Sequence, residues 1–408
     1  MDPFNRLPWF ALRYLLSHLP DLPTLHTLSI ASPTIATFLQ EDNSFSEIVE
    51  NIISNPTREK GLYQPVRTII RTLTLIWWRK HTYHSSEDDD HHHHHQNPLT
   101  RSYTELIRSL IHNPDYKPKY PFGCMRPLPR YIPYVILYRL LEFSTKIRRI
   151  THAFFHAMIK NCMDLTTLEH LPRGKRYHCD EIGLDRSKRP VGKPFKPYDL
   201  GAPTWFEEQR ILYAVLRVVL FFELRDAIGS VPGFFSEMGV GACWVSPGAN
   251  NILKFWKSEV INDMILVEQL RTSISWLATE AGGRDKIESW MLSSSSSSSS
   301  VSLPDNLSYC CPKFRPVKEQ RWTSFGKNAI WLLYPRGYDC ISDCGRSPNS
   351  PLRGVDSSYY RRFGVVFWDS ARLNALGLVG RRRNVEAMWF AWSSVLNESD
   401  WELLGRYR

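Results

Sequence analysis

The side chains richest in potential chemistry are imidazoles, thiols and clustered cations. His91–His95 is a run of five imidazoles behind Asp88–Asp90, a donor mixture that suits borderline divalent cations. A low-complexity run fixes neither ligand geometry nor a supporting outer shell, so it reads as a solvated insert. Cys310-Cys311 and Cys340-x-x-x-Cys344 supply thiols, but neighbouring cysteines seldom both ligate one metal, and paired C-x-x-C spacing is missing. His152 and His156 stand one helical turn apart with Ala153, Phe154 and Phe155 between them. A metalloprotease helix needs a glutamate there, so the pair reads as packing. His178-Cys179-Asp180 has the residue types of a thiol nucleophile, yet neighbours in sequence do not usually reach triad geometry. Gly192-Lys193 is followed by Pro194, which removes a backbone donor where a phosphate loop needs one. No GxSxG and no dinucleotide fingerprint occurs. These readings predict a chain with no catalytic residue, no metal and no cofactor.

Clustered cations are the remaining candidates. Residues 173–196 hold eight Lys/Arg against three acids. Arg361 and Arg362, then Arg381, Arg382 and Arg383, form a second group, with Tyr359, Tyr360 and Phe363 interleaved. Arginines beside aromatic rings can hold single-stranded nucleic acid, and they can equally hold an acidic protein face. No RNA-recognition, KH or zinc-finger pattern is present, which tilts the reading away from nucleic acid. The five arginines of the second group are the candidate target-binding residues. The turn-containing segment Asp369–Gly380 would bring their two halves together.

The charge is uneven along the chain. The net charge is +10, yet residues 1–50 hold two basic residues against six acids, leaving −4 there and +14 elsewhere. With 43% hydrophobic and 23% charged residues, wholesale disorder is excluded. The 14 tryptophans supply material for a large core, and the 27 prolines imply many irregular connections. A chain of 408 residues accommodates two or three domains at roughly 100–200 residues each. The most apolar window, Ile211–Leu224, is interrupted by Arg217 and Glu223 and is shorter than the roughly 20 residues of a membrane span. It reads as a buried helix, and no membrane partner is expected. Met1-Asp2-Pro3-Phe4 lacks the basic start of a secretory signal. The expected location is intracellular, cytoplasmic and/or nuclear, with reduced thiols.

The elements that would position these residues are mostly helical. Leu12, Leu15, Leu16 and Leu19, then Leu22, Leu25 and Leu28, recur at helical spacing on either side of Pro20. Ser32-Pro33 reads as a cap with proline at the first helical position, leading into Ile35, Phe38 and Leu39. Asp42, Asn43 or Ser44 would cap a helix carrying Phe45, Ile48, Ile52 and Ile53. Periodic apolar residues predict further helices over 64–78 and 133–163. Ser102-x-x-Glu105, Thr204-x-x-Glu207 and Ser399-x-x-Glu402 are capping boxes, the second opening a helix over 205–226. Residues 171–203 read as a long loop. Ala329–Leu333 and Phe363–Trp368 are short apolar runs compatible with strands. A short helix over Asp369–Leu376 would close at Gly377 in the left-handed conformation. SSEDDDHHHHH at 85–95 and the serine run at 293–300 are low-complexity inserts.

The N-terminus also carries a resemblance. Leu7-Pro8 opening a leucine-rich helix, a Leu15-Leu16 pair, a second helix through Leu22, Leu25 and Leu28, and then Ala31-Ser32-Pro33 resemble the F-box-like domain of filamentous fungi over residues 4–53. Phe367-Trp368-Asp369 with Ala371-Arg372-Leu373 and Ala375-Leu376-Gly377 resembles a closing segment of the same family. There it precedes a helix similar to Trp392-Ser393-Ser394-Val395-Leu396. The resemblance implies a mainly α fold, with an F-box-like module of three to four helices, an α-helical body and a minor mixed C-terminal region. The expected layout is 1–55 module, 56–84 connecting helix, 85–98 Asp/His-rich insert, 99–292 helical body, 293–320 Ser-rich insert and loop, and 321–408 C-terminal packing region. It further implies a substrate receptor of a cullin-RING ubiquitin ligase. Leu7, Pro8, Leu12, Leu15, Leu16, Leu19 and Leu25 would bind the adaptor subunit, and the body would hold an unknown protein target. The alternative is a stand-alone helical interaction protein whose N-terminal leucines fill its own core.

Overall fold

A computed structural model describes residues 2–41, 44–55, 61–86, 127–178, 189–231, 252–253, 264–292, 336–379, 384–396 and 399–401. The chain is mainly helical. After a 3-10 turn at Pro3–Arg6 come α1 (Trp9–Ser17), α2 (Leu22–Ala31), α3 (Pro33–Glu41), α4 (Phe45–Ser54) and α5 (Gln64–Ser86). Then follow α6 (Tyr134–Met163), β1 (Glu169–His170), β2 (Lys193–Pro194), α7 (Trp205–Ser230), α8 (Met264–Glu280) and α9 (Ile287–Leu292). The C-terminal part holds α10 (Arg336–Arg346), α11 (Ser358–Arg361), α12 (Ser370–Ala375) and α13 (Val385–Ser394). Among the described residues no helix is long and apolar enough to cross a membrane.

The chain forms two compact units. The first comprises Met1–Thr151, Leu212–Asn262 and Ala278–Ser308; the second comprises His152–Ile211, Asp263–Leu277 and Tyr309–Arg408. Three of the five boundaries fall inside α6, α7 and α8, so each unit is assembled from segments far apart in sequence.

In the first unit, α1 packs on α4 and α2 packs on α3 and α4. Leu12, Leu16, Leu22, Leu25, Ile35, Leu39, Ile48, Val49 and Ile52 are buried there. Burying each of these leucines stabilises by about 1.5–3 kcal/mol. The expected cap of α3 is present: Ser32 Oγ accepts from the Ile35 amide at 3.2 Å. Helix α5 carries the expected stripe of Val66, Ile69, Ile70, Leu73, Ile76 and Trp77 into the core, and it runs past residue 78. Its extension is held by Lys80, which donates to buried Glu223 at 3.3 Å. Arg139 also donates to Glu223, at 2.9 Å, and its guanidinium lies 4.5 Å from the Trp77 ring centroid. Buried Glu50 accepts from Arg71 Nε at 3.1 Å and from the Leu128 amide at 3.0 Å. A buried carboxylate is tolerated only with such partners. The apolar window Ile211–Leu224 is a segment of α7, and most of its side chains are buried, as read from the sequence.

In the second unit, α7 opens on the predicted capping box. The Thr204 amide donates to Glu207 Oε2 at 2.9 Å, and the Glu207 amide donates to Thr204 Oγ1 at 3.3 Å. Glu207 also accepts from Arg372 Nε at 3.0 Å and from the Asp369 amide at 3.1 Å. Both side chains of that ion pair are almost fully buried. The Arg372 guanidinium sits over the Phe155 ring at 4.7 Å. Phe154, Phe155, Phe367, Trp368, Tyr360, Phe390 and Trp392 make the aromatic core around it. Helix α12 is capped by Asp369, which accepts from the Arg372 amide at 2.9 Å, and closes at Gly377 with φ +74°. The Leu378 amide returns to the Leu373 carbonyl at 2.9 Å, the six-residue closure such a glycine permits. Two residues of β1 pair antiparallel with β2, Glu169 opposite Pro194 and His170 opposite Lys193.

Two expectations are corrected. The stretch 171–203 is not loop throughout, because Lys193–Pro194 pairs with β1 as a short strand. Phe363–Trp368 is not a strand: Val365–Phe367 is a 3-10 turn. Gly364 has φ +59°, and Trp368 Nε1 donates back to the Phe363 carbonyl at 2.8 Å. A short apolar run buried on every side carries no alternation, so its type is not readable from pattern. Ser85 and Ser86 of the first low-complexity insert end α5; its residues 87–95, the serine run at 293–300, Ala329–Leu333 and the Ser102 capping box lie outside the described residues.

Candidate functional site

The first five helices divide the N-terminal leucines into two sets. A helix turns about 100° per residue, so Leu12 and Leu16 share one stripe of α1, and that stripe is buried with Leu25 of α2. Leu19 is half-buried. Leu7, Pro8 and Leu15 are exposed. Of the seven residues expected to bind an adaptor, Leu12, Leu16 and Leu25 therefore serve the core of this unit, and Leu7, Pro8 and Leu15 remain at the surface.

The outward stripe of α1 is also apolar: Phe10 is 62% and Tyr14 69% exposed, and Trp9, at the first residue of the helix, is 63% exposed. Phe10 and Tyr14 are one turn apart, facing away from Leu12 and Leu16. Trp9 meets Phe10 edge-on with ring centroids 6.2 Å apart, and Tyr14 packs on His18 at 4.2 Å. A helix that is hydrophobic all round is ordinarily buried all round; here one side faces solvent.

Polar contacts fix the orientation of this face. Asp2 Oδ2 accepts from Ser32 Oγ at 2.6 Å and from the Thr34 amide at 3.0 Å, and Asp2 Oδ1 accepts from the Phe4 amide at 2.9 Å. The Ser32 hydroxyl, with those amides, holds the Asp2 carboxyl well below the usual carboxylate range. Asp21 caps α2 through the Thr24 amide at 2.8 Å and pairs with Arg148 of α6. His26 Nδ1 meets Thr145 Oγ1 at 2.9 Å. Arg13 pairs with Glu47 at 2.5 Å across α1 and α4. The described residues up to Asn55 are thereby tied to α6, and through Glu50 and Arg71 to α5, within the first unit.

The other candidates fall out differently. Arg361 forms a two-pronged pair with buried Glu268, at 2.6 and 3.1 Å. Arg362 donates to the Val395 carbonyl at 3.3 Å and lies 3.6 Å from Asp400. Arg381, Arg382 and Arg383 lie outside the described residues. Tyr360 is buried against Trp392 at 4.6 Å. His152 is buried 3.2 Å from Glu208, and His156 is half-buried on the same helix. Cys340 and Cys344 are buried one turn apart on α10, and burial, then Cys340 and Asp343, push the Cys344 thiol well up. Cys179, Asp180, Cys310, Cys311 and the His91–His95 run lie outside the described residues. Among the described residues no three His, Cys, Asp or Glu side chains converge as metal ligands would.

Trp9, Phe10 and Tyr14 are the surface residues that leucine counting misses. For Phe10 and Tyr14 the signal was available: on a helical projection of α1 they fall opposite Leu12 and Leu16, whereas Trp9 shares the side of Leu16 and is exposed at the first residue of the helix. The sequence matches no protein-family model, no curated protein and no solved structure.

Proposed function

We propose that this protein is a non-catalytic interaction subunit that docks a partner on the outward face of α1. On the F-box-like resemblance of residues 4–53, that partner is the adaptor subunit of a cullin-RING ubiquitin ligase, and the protein is a substrate receptor within that complex. The observation that carries the reading is the solvent-facing row of Trp9, Phe10 and Tyr14 beside Leu7, Pro8 and Leu15. Contiguous exposed apolar side chains of this size mark interaction surfaces, and interface centres favour aromatic residues. The burial of Leu12, Leu16 and Leu25 favours a second reading, in which the same face serves a stand-alone interaction protein with no ligase role.

The test is capture of the purified adaptor by the full chain. Phe10→Asp with Tyr14→Asp places carboxylates in the docked interface, which costs several kcal/mol, a loss of about a hundredfold or more in affinity. Both side chains are exposed, so circular dichroism and melting temperature should stay unchanged. Wild-type protein that fails to capture the adaptor would reject the ligase reading. Capture that the double variant leaves intact would reject this face. A Leu16 variant would probe folding rather than docking, because Leu16 is buried.

A further inference from the structure

Most of the arginines in this molecule with a described environment are engaged in the fold, but one group of cations is not. In the second unit the β1–β2 pair joins two short basic stretches. Arg173, Lys175 and Arg176 follow β1, and Lys193 and Lys196 lie on and just after β2; all five are exposed. Among the described residues none of the five forms an ion pair. The neighbouring carboxylates have other partners. Glu169 pairs with Arg189 at 2.6 Å. Asp199 accepts from the Gly201 amide at 2.9 Å and lies 3.3 Å from Arg372. Glu386 accepts from the Tyr177 amide at 2.9 Å. The three acids of the stretch 173–196, Asp180, Glu181 and Asp185, lie outside the described residues.

Aromatic rings sit among these cations. Lys193 stands opposite His170 in the strand pair, and paired residues project to the same face. The His170 ring stacks on Phe195 with centroids 4.2 Å apart and an interplanar angle of 22°. Tyr198, two residues past Lys196, is 53% exposed. Its backbone is anchored, since the Tyr198 amide donates to the Ala375 carbonyl at 3.2 Å. Gly377 is also a contact point: a Cβ there would lie 2.4 Å from Phe195.

We propose that this strand pair is a binding surface for single-stranded nucleic acid, held through its phosphates by Arg173, Lys175, Arg176, Lys193 and Lys196, with Tyr198 offering a ring for base stacking. Unpaired exposed cations release the counterions of a phosphate backbone on binding, and interleaved rings are the sequence-tolerant half of single-strand recognition. The composition decides against an acidic protein partner. Protein interfaces are depleted in lysine, and lysine supplies three of these five cations.

The test is fluorescence anisotropy of the full chain with labelled oligo(U) and oligo(dT), across a salt series. Neutralising about five single-strand phosphates predicts a slope of log affinity against log salt near −3.5. Lys193→Glu with Lys196→Glu should weaken binding by about tenfold or more and flatten the slope to about −2. Tyr198→Ala should weaken binding without changing the slope, because stacking carries no counterion release. Arg149→Glu, an exposed cation of the first unit, should change little. Three outcomes would overturn the proposal: no binding at low salt, equal losses in the Arg149 and Lys193/Lys196 variants, or polyglutamate binding as tightly as oligo(U). Melting temperatures of all variants confirm that each is folded.

Discussion

His26 and His156 are half-buried imidazoles, one in each unit. Burial lowers the pKa of both. For His26 it outweighs the opposing charge of Glu142, and for His156 it is joined by the repulsion of His152 and Arg372 against Asp199. The sign follows from which state takes up protons first. An unfolded histidine protonates near pH 6.5, above the folded value, so the unfolded chain binds protons while the folded chain still does not. Stability is therefore full above about pH 6.5 and is lost as the pH falls below it. Melting temperatures at pH 7.5 and 5.5 should show a drop on acidification, and His26→Gln with His156→Gln should shrink it. An acid limb unchanged by both substitutions would refute this assignment. At the same scale, Arg361 shows where sequence reading stops. Its cluster was visible, but its carboxylate, Glu268, is 93 residues away, and nothing local in either segment announces the pair.

Elements whose signals are local were the most legible. The reciprocal bonds of Thr204 and Glu207, the Ser32 cap before Pro33 and the Gly377 closure were all readable, because each lies within a few residues of chain. The start of α6 near Pro133 and its end at Met163 followed from apolar periodicity. The 3-10 turn at Val365–Phe367 was not readable, since its conformation depends on what buries it. Nor was which of the two apolar stripes of α1 turns inward, since that needs the position of α4. Gly377 offers a test at this scale. Gly377→Ala forces a Cβ onto a residue with φ +74° and within 2.4 Å of Phe195. Strain of this kind costs about 1–3 kcal/mol, read as a lower denaturant midpoint at constant slope. A variant as stable as wild type would show that α12 ends some other way.

At the scale of the whole molecule, the acidic surplus of the N-terminal region is largely used up internally. Asp2 is held by Ser32 and the amides of Phe4 and Thr34, Asp21 by Arg148, Glu47 by Arg13 and Glu50 by Arg71. The α1 face is left apolar rather than acidic, so partner capture there should change by less than about threefold between 0.05 and 0.5 M NaCl, because screening acts on exposed charge. Oligonucleotide binding by the β1–β2 cations should collapse over the same range. A capture reaction as salt-sensitive as the oligonucleotide reaction would place charge, not aromatic packing, at the α1 face. The interleaving of segments has its own consequence during synthesis. The first unit closes only with α9, which ends at Leu292, and translation adds about 5–20 residues per second. A nascent chain therefore carries an incomplete first unit for roughly 15–60 s, with Lys80 and Arg139 made long before Glu223, the carboxylate that joins them. Over that interval the apolar side of α1 emerges early and stays open to whatever chaperone or partner waits at the ribosome exit.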